Sequence, residues 1–219
     1  MNRPEAARAG AKRELPVILA HGLWVPGAAM QMLAMRLVRA GFRCCTFGYR
    51  GRALPLSAHA ERLARFARDA GPAHYVAHSL GGRVVLEALR GDPSLGVGKV
   101  ALLGTPARGC AAARRLARVA PGRWLLGESE PIWRDGQDAR WPRPEPLGVI
   151  AGTLPIGLGR LIGPLPGPND GVVTVEETGV EGMAERCVLP VSHSAMLVSA
   201  RVADCVTVFL REGRFPAPR

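Results

Sequence analysis

Short, wholly apolar runs alternate with longer amphipathic segments along most of this chain, and the two periods predict strands alternating with helices. Pro16 to Ala20 is apolar at every position, as expected of a strand covered on both faces of a parallel sheet. Ala28 to Ala40 carries Met32, Leu33, Arg36, Leu37 and Ala40 at helical spacing, and Gly41 ends it. Phe42 to Phe47 reads as a second strand. A helix from Leu56 or Ser57 to about Ala70 is broken by Gly71-Pro72. Tyr75 to Ala77 forms the third strand, and helical periodicity resumes from Arg83 to Leu89. Val97 to Leu103, Leu147 to Ala151 and Arg186 to Pro190 complete six strands. Ala195 to Arg211 is a last helix, with Val198, Val202, Cys205 or Val206, and Phe209 on its inward face. The rhythm predicts an α/β fold: an open, parallel, six-stranded sheet with helices on both faces and right-handed crossovers.

Two stretches break the pattern. From Gly104 to Pro146 only Ala111 to Val119 reads as a helix, and three of the four tryptophans, Trp124, Trp133 and Trp141, fall there. Two readings stand: a cap over the site that lines an acyl pocket, or a loop packing its tryptophans onto the scaffold. Thr153 to Pro168 is apolar but rich in Gly and Pro, which suits an ordered irregular flap. The 219 residues suit one domain. Residues 1–14 read as a loose tail, 15–219 as the domain and 105–146 as an excursion from it.

The candidate chemistry lies at the third strand's end. Ala77-His78-Ser79-Leu80-Gly81 has the form small-x-Ser-x-small, which lets a strand and a helix pass closely with a serine at the corner. A serine needs a base. His193 follows the last strand and precedes the last helix, at the carboxyl edge where such sheets bind ligands. His78 adjoins Ser79, so its side chain points elsewhere, and His59 lies in a helix pattern that suggests solvation. Asp170, in Asn169-Asp170-Gly171, follows the fifth strand and is the acid for His193, with Glu176 and Glu177 as reserves. Asp135 and Asp138 precede that strand, at the wrong end. The order Ser79, Asp170, His193 is that of α/β-hydrolases. Backbone N–H groups of Leu23 and Leu80 supply an oxyanion hole, with His21 holding the loop. Trp24, Trp124 and Trp133 are candidate substrate contacts.

Charge and cysteine content change the picture only at its margins. The formal charge is +11, carried almost wholly by arginines scattered along the chain. That suits a solvated surface, or weak attraction to an anionic membrane surface or acidic substrate. With 5% aromatics and no binding module, nucleic acid is not expected. Five cysteines without repeating spacing argue for reduced thiols and a cytoplasmic location, and no zinc spacing or other metal or cofactor motif is present. The uncharged stretch from Leu15 to Met35 is interrupted by His21, Gly22, Pro26 and Gly27. It reads as a buried strand and loop, not a signal peptide or membrane span.

Five motifs then carry a family resemblance: Ala20-His21-Gly22-Leu23-Trp24, Ala77-His78-Ser79-Leu80-Gly81-Gly82, Leu103-Gly104-Thr105-Pro106, Asn169-Asp170-Gly171-Val172-Val173 and Ser192-His193-Ser194. In this order they resemble the α/β-hydrolase superfamily. More narrowly they are similar to small bacterial lipases and esterases and to relatives of GPI inositol-deacylases. The resemblance implies sheet order 2-1-3-4-5-6 and an ester substrate with a hydrophobic acyl group. It serves a serine esterase first. An acyltransferase using the same triad, or a catalytically silent binding protein on the same fold, is the alternative.

Overall fold

The computed structural model describes residues 14–24, 27–133, 139–157 and 163–217. The expected N-terminal tail up to residue 13, and Asp135 and Asp138, lie outside the described residues. The strands are β1 (Val17–Ala20), β2 (Cys44–Phe47), β3 (Ala73–His78), β4 (Val97–Leu103), β5 (Leu147–Gly152) and β6 (Glu185–Leu189). They form one sheet in the order β2-β1-β3-β4-β5-β6, parallel throughout. The helices are α1 (Gln31–Arg39), α2 (Leu56–Ala70), α3 (Leu80–Gly91), α4 (Ala111–Leu116), α5 (Ala120–Leu126) and α6 (Ala200–Glu212). The predicted strands and order are those observed.

Strand alternation explains the unbroken apolar runs. In β1, Val17 and Leu19 enter one buried cluster while Ile18 and Ala20 enter the other. The same parity divides Leu102 from Leu103 in β4, and Val149 from Ile150 in β5. One cluster lies under α1 and α6, with Leu33, Leu37, Val202, Val206 and Phe209. The other lies under α2 and α3, with Leu63, Val84, Val85 and Leu89. A sheet buried on both faces needs apolar side chains at every position.

Three expectations change. The last helix is not continuous: a 3-10 turn covers Ser194–Leu197, and α6 begins only after Ser199, whose hydroxyl accepts the Val202 N–H at 3.3 Å. Val198, expected on the inward face, is therefore exposed in the break. His59 is not solvated but 1% exposed, edge-on to Tyr49 at 4.7 Å. Trp133 and Trp141 are both buried in the core, as the packing reading requires, while Trp124 is 69% exposed. No helix among the described residues is long and apolar enough to cross a membrane.

Candidate active site

β3 ends and α3 begins across a single residue, Ser79, whose φ of 54° and ψ of −123° put it outside both elements. Among the described residues only Ser79 and Trp24 hold positive φ without being glycine. Such backbone costs about 1–3 kcal/mol and persists where surrounding structure enforces it. Here the enforcement is visible. The Ser79 N–H donates to Leu103 O at 3.0 Å, and the Gly82 N–H donates to Ser79 O at 3.0 Å. A Cβ on Gly81 would lie 2.5 Å from His21 O and closer still to Ala20 O. One on Gly22 would lie 2.9 Å from Ser79 Cβ. The loop after β1 therefore runs directly against the serine, and only small residues permit it.

Asp170 and His193 meet at the same edge. The loop after β5 turns through Asn169, whose Oδ1 accepts the Gly171 N–H at 3.0 Å. That frees Asp170, whose Oδ1 accepts the N–H groups of Val172 and Val173 at 2.9 and 2.7 Å. The fixed Oδ2 lies 2.7 Å from His193 Nδ1. Asp170 is fully buried, and the His193 N–H donates to its carbonyl at 2.9 Å. The carboxylate thus accepts a hydrogen bond from Nδ1–H and leaves Nε2 as the nitrogen available for chemistry. No hydrogen bond joins Ser79 to His193 among the described residues. Hydrogen bonds between reacting groups are often long without substrate and tighten on binding.

Two residues with no assigned role in the sequence pack against the Asp170–His193 pair. His78 reaches under the histidine loop: its Nε2 lies 3.0 Å from His193 O, and the two rings are 4.6 Å apart. Burial first, then the neighbouring His193, lowers the His78 pKa to about 3. It is therefore neutral, and Nε2–H donates to the His193 carbonyl. Gly104 follows β4 with φ +52°; a Cβ there would lie 3.0 Å from Asp170 Oδ2 and 3.1 Å from His193 Nδ1. Its presence in the Leu103-Gly104-Thr105-Pro106 motif was the signal available.

The β1 loop supplies the other wall. His21 Nδ1 lies 2.9 Å from Gly22 O, and its Nε2 receives the Tyr49 N–H at 3.4 Å. Tyr49 donates its hydroxyl to His21 O at 2.7 Å and stacks on the ring. Burial lowers the His21 pKa, so it serves as a neutral brace for the loop. Leu23 and Leu80 follow the two strand ends, and neither N–H donates to a protein acceptor among the described residues. Trp24, strained and 51% exposed, donates its indole N–H to Leu125 O at 2.9 Å, tying this loop to α5. Trp133, expected as a substrate contact, is instead buried and donates to Ser129 Oγ at 3.3 Å, whereas Trp24 and Trp124 are exposed. Of the reserve acids, Glu177 is engaged at the start of α4, accepting the Ala111 and Thr174 N–H groups. No group of metal-ligating side chains occurs among the described residues.

With this geometry, the solved structures that match are informative. The chain superposes on a Bacillus licheniformis lipase in mature form with a TM-score of 0.70, at 18% identity, over 93% of this chain and 94% of that one. The chain has the α/β-hydrolase fold. A thermophilic esterase from Thermogutta terrifontis matches at a TM-score of 0.64 and 15% identity, over 90% of each chain. A bromoperoxidase from Bacillus anthracis matches at 0.67 and 15%, over 90% of this chain and 92% of that one. No family model and no curated protein sequence matches. At these identities the α/β-hydrolase likeness speaks for the fold; the chemistry rests on the site.

Proposed function

We propose that this protein is a serine hydrolase that cleaves carboxylic esters with a hydrophobic acyl group through an acyl-enzyme on Ser79. Ser79 Oγ attacks the ester carbonyl while His193 Nε2 takes its proton, and Asp170 stabilises the imidazolium. The N–H groups of Leu23 and Leu80 receive the developing oxyanion, each worth about 10²–10³ in rate. His193 returns the proton to the leaving alcohol, then activates the water that releases the acid. The reading rests above all on one coincidence. The strained serine corner and the Asp170–His193 pair share one edge of the sheet. The exposed Trp24 and Trp124 support an apolar acyl contact at the rim.

Ser79→Ala should abolish turnover of a p-nitrophenyl ester and labelling by a fluorophosphonate, with an unchanged unfolding temperature. Full activity in that variant removes the assignment.

The rim also supports a surface on which such a substrate is met. Val119, Trp124, Leu125 and Trp24 are all exposed, and Arg52 stacks over the Trp124 ring at 4.5 Å. Apolar and cationic groups side by side fit the headgroup region of an anionic membrane.

A further inference from the structure

Cys187 lies on β6, an edge strand whose sheet neighbour is β5, where it pairs with Ile150. Alternation puts Glu185, Cys187 and Leu189 on one face. Leu189 is buried in the cluster under α6, and Glu185 Oε2 accepts the Phe215 N–H at 2.5 Å just past that helix. The Cys187 thiol is thus directed at α6. Cys205 belongs to the inward face of α6, with Val202, Val206 and Phe209. The two thiols lie within electrostatic range, each shifting the other's pKa. Both line an open groove of about 1000 Å³ between β6 and α6, which admits a small solute from solvent.

The other cysteines are arranged differently. Burial raises the Cys44 thiol to about 11 and the Cys110 thiol to about 12. Cys44 and Cys45 are consecutive on β2, so their side chains leave opposite faces. In the β6–α6 pair, interaction with Cys187, with Arg201 nearby, lowers the Cys205 thiol, while the same interaction raises Cys187. The pair thus pushes one thiol toward thiolate while holding its partner protonated, the arrangement that thiol oxidation draws on. The segment between them carries Pro190 to Ser194, and so His193.

We propose that Cys187 and Cys205 are an oxidation site: a dithiol that closes to a disulfide across β6 and α6 and staples the loop carrying His193. With a peroxide, the thiolate attacks one peroxide oxygen, giving a sulfenic acid and releasing hydroxide. The second thiol then attacks that sulfur; the S–S bond forms and water leaves. Two thiols are oxidised by two electrons and one peroxide is reduced.

The test uses the reduced full chain and a small molar excess of hydrogen peroxide. Remaining thiols are blocked in denaturant and the protein is digested without reduction. Mass spectrometry should find a Cys187–Cys205 linked peptide pair that dithiothreitol reverses. Cys187→Ser, a change on the edge strand, should abolish the link and leave a Cys205 sulfenic acid that dimedone traps. All five thiols remaining alkylatable, a first link through Cys44, Cys45 or Cys110, or single-site oxidation without a link would overturn the site. This readout does not depend on ester hydrolysis. The stapling rests on the proposed hydrolase reading: oxidised protein should lose ester turnover on heating at least about threefold more slowly than reduced protein. Equal rates with the link formed would overturn the stapling.

Discussion

Asp170 holds two backbone amides and one imidazole at once, so Asp170→Asn changes the chemistry while sparing the packing. An asparagine Oδ1 still accepts from Val172 and Val173, as the carboxylate does now. Its Nδ2 would instead donate to His193 Nδ1 and drive the proton to Nε2, the wrong tautomer for a base. We expect kcat for a p-nitrophenyl ester to fall about 10³–10⁴-fold, with the unfolding temperature within a few degrees of the parent. A loss under tenfold would count against Asp170. The four other histidines make a second residue-scale prediction. Burial lowers the pKa values of His21, His59, His74 and His78, the last two to about 4 and about 3. Unfolded, they would titrate near 6.5, so the unfolded chain binds more protons between those values. Stability is then full above about pH 6.5 and falls as pH drops, by up to about 1.4 kcal/mol per pH unit for each of His74 and His78, with His21 and His59 adding in the same direction. The urea midpoint should decline from pH 7 to 5, and His74→Gln, which keeps an acceptor for the Lys99 N–H, should flatten that slope. A midpoint constant over this range contradicts it. The sheet-edge positions of Ser79, Asp170 and His193 were legible because each lies beyond the carboxyl end of a strand in a recognisable local pattern. His59 was misread as solvated from its place in a helix pattern, although it shares a helix face with the buried Leu63 and Ala67. His78 was read only as pointing away from Ser79; that it reaches His193 O required the fold.

The β3–α3 unit shows what close passage demands of an element. A methyl on Gly81 meets the backbone carbonyls of Ala20 and His21, which cannot swing aside. Gly81→Ala should cost about 1–3 kcal/mol or more in a urea titration. At the far end of the same helix, a Cβ on Gly91 meets nothing within 4 Å. Gly91→Ala should therefore be neutral or stabilise by up to about 1 kcal/mol. Equal effects at the two ends would undo the steric account. The strands were legible to within two residues because burial on both faces forces unbroken apolar runs. The stretch from Gly104 to Pro146 was not, because distant residues hold it. Glu177 fixes the start of α4 through the Ala111 N–H, and Leu116 packs against Gly122 at the start of α5. Neither contact leaves a local period. The last helix was overextended because Ser199, its N-cap, fell inside a continuous apolar stripe.

At the scale of the whole molecule, a formal charge of +11 has direction only if apolar groups accompany it at one face. The rim formed by Trp24 and α5 meets that condition. The Arg52 guanidinium covers the Trp124 ring and donates to Trp124 O at 2.5 Å, Arg118 and Arg123 are exposed beside it, and Glu128 is the exposed acid of the same stretch. An indole at a headgroup boundary keeps its ring among lipid carbons, while neighbouring arginines answer lipid phosphate. Coulomb attraction from the rest of the chain reaches about 30 Å at 0.01 M salt and less than 10 Å above 0.15 M. Sedimentation with phosphatidylglycerol vesicles should therefore carry the protein down at low salt and release it by about 0.5 M salt. Phosphatidylcholine vesicles should carry little at either salt concentration. Trp124→Ala should weaken the low-salt binding and Arg52→Gln should weaken it further. Undiminished binding in both variants would make the attraction general to the basic surface rather than a property of this rim. Absence of binding at low salt would remove the membrane proposal and leave the hydrolase reading to soluble esters.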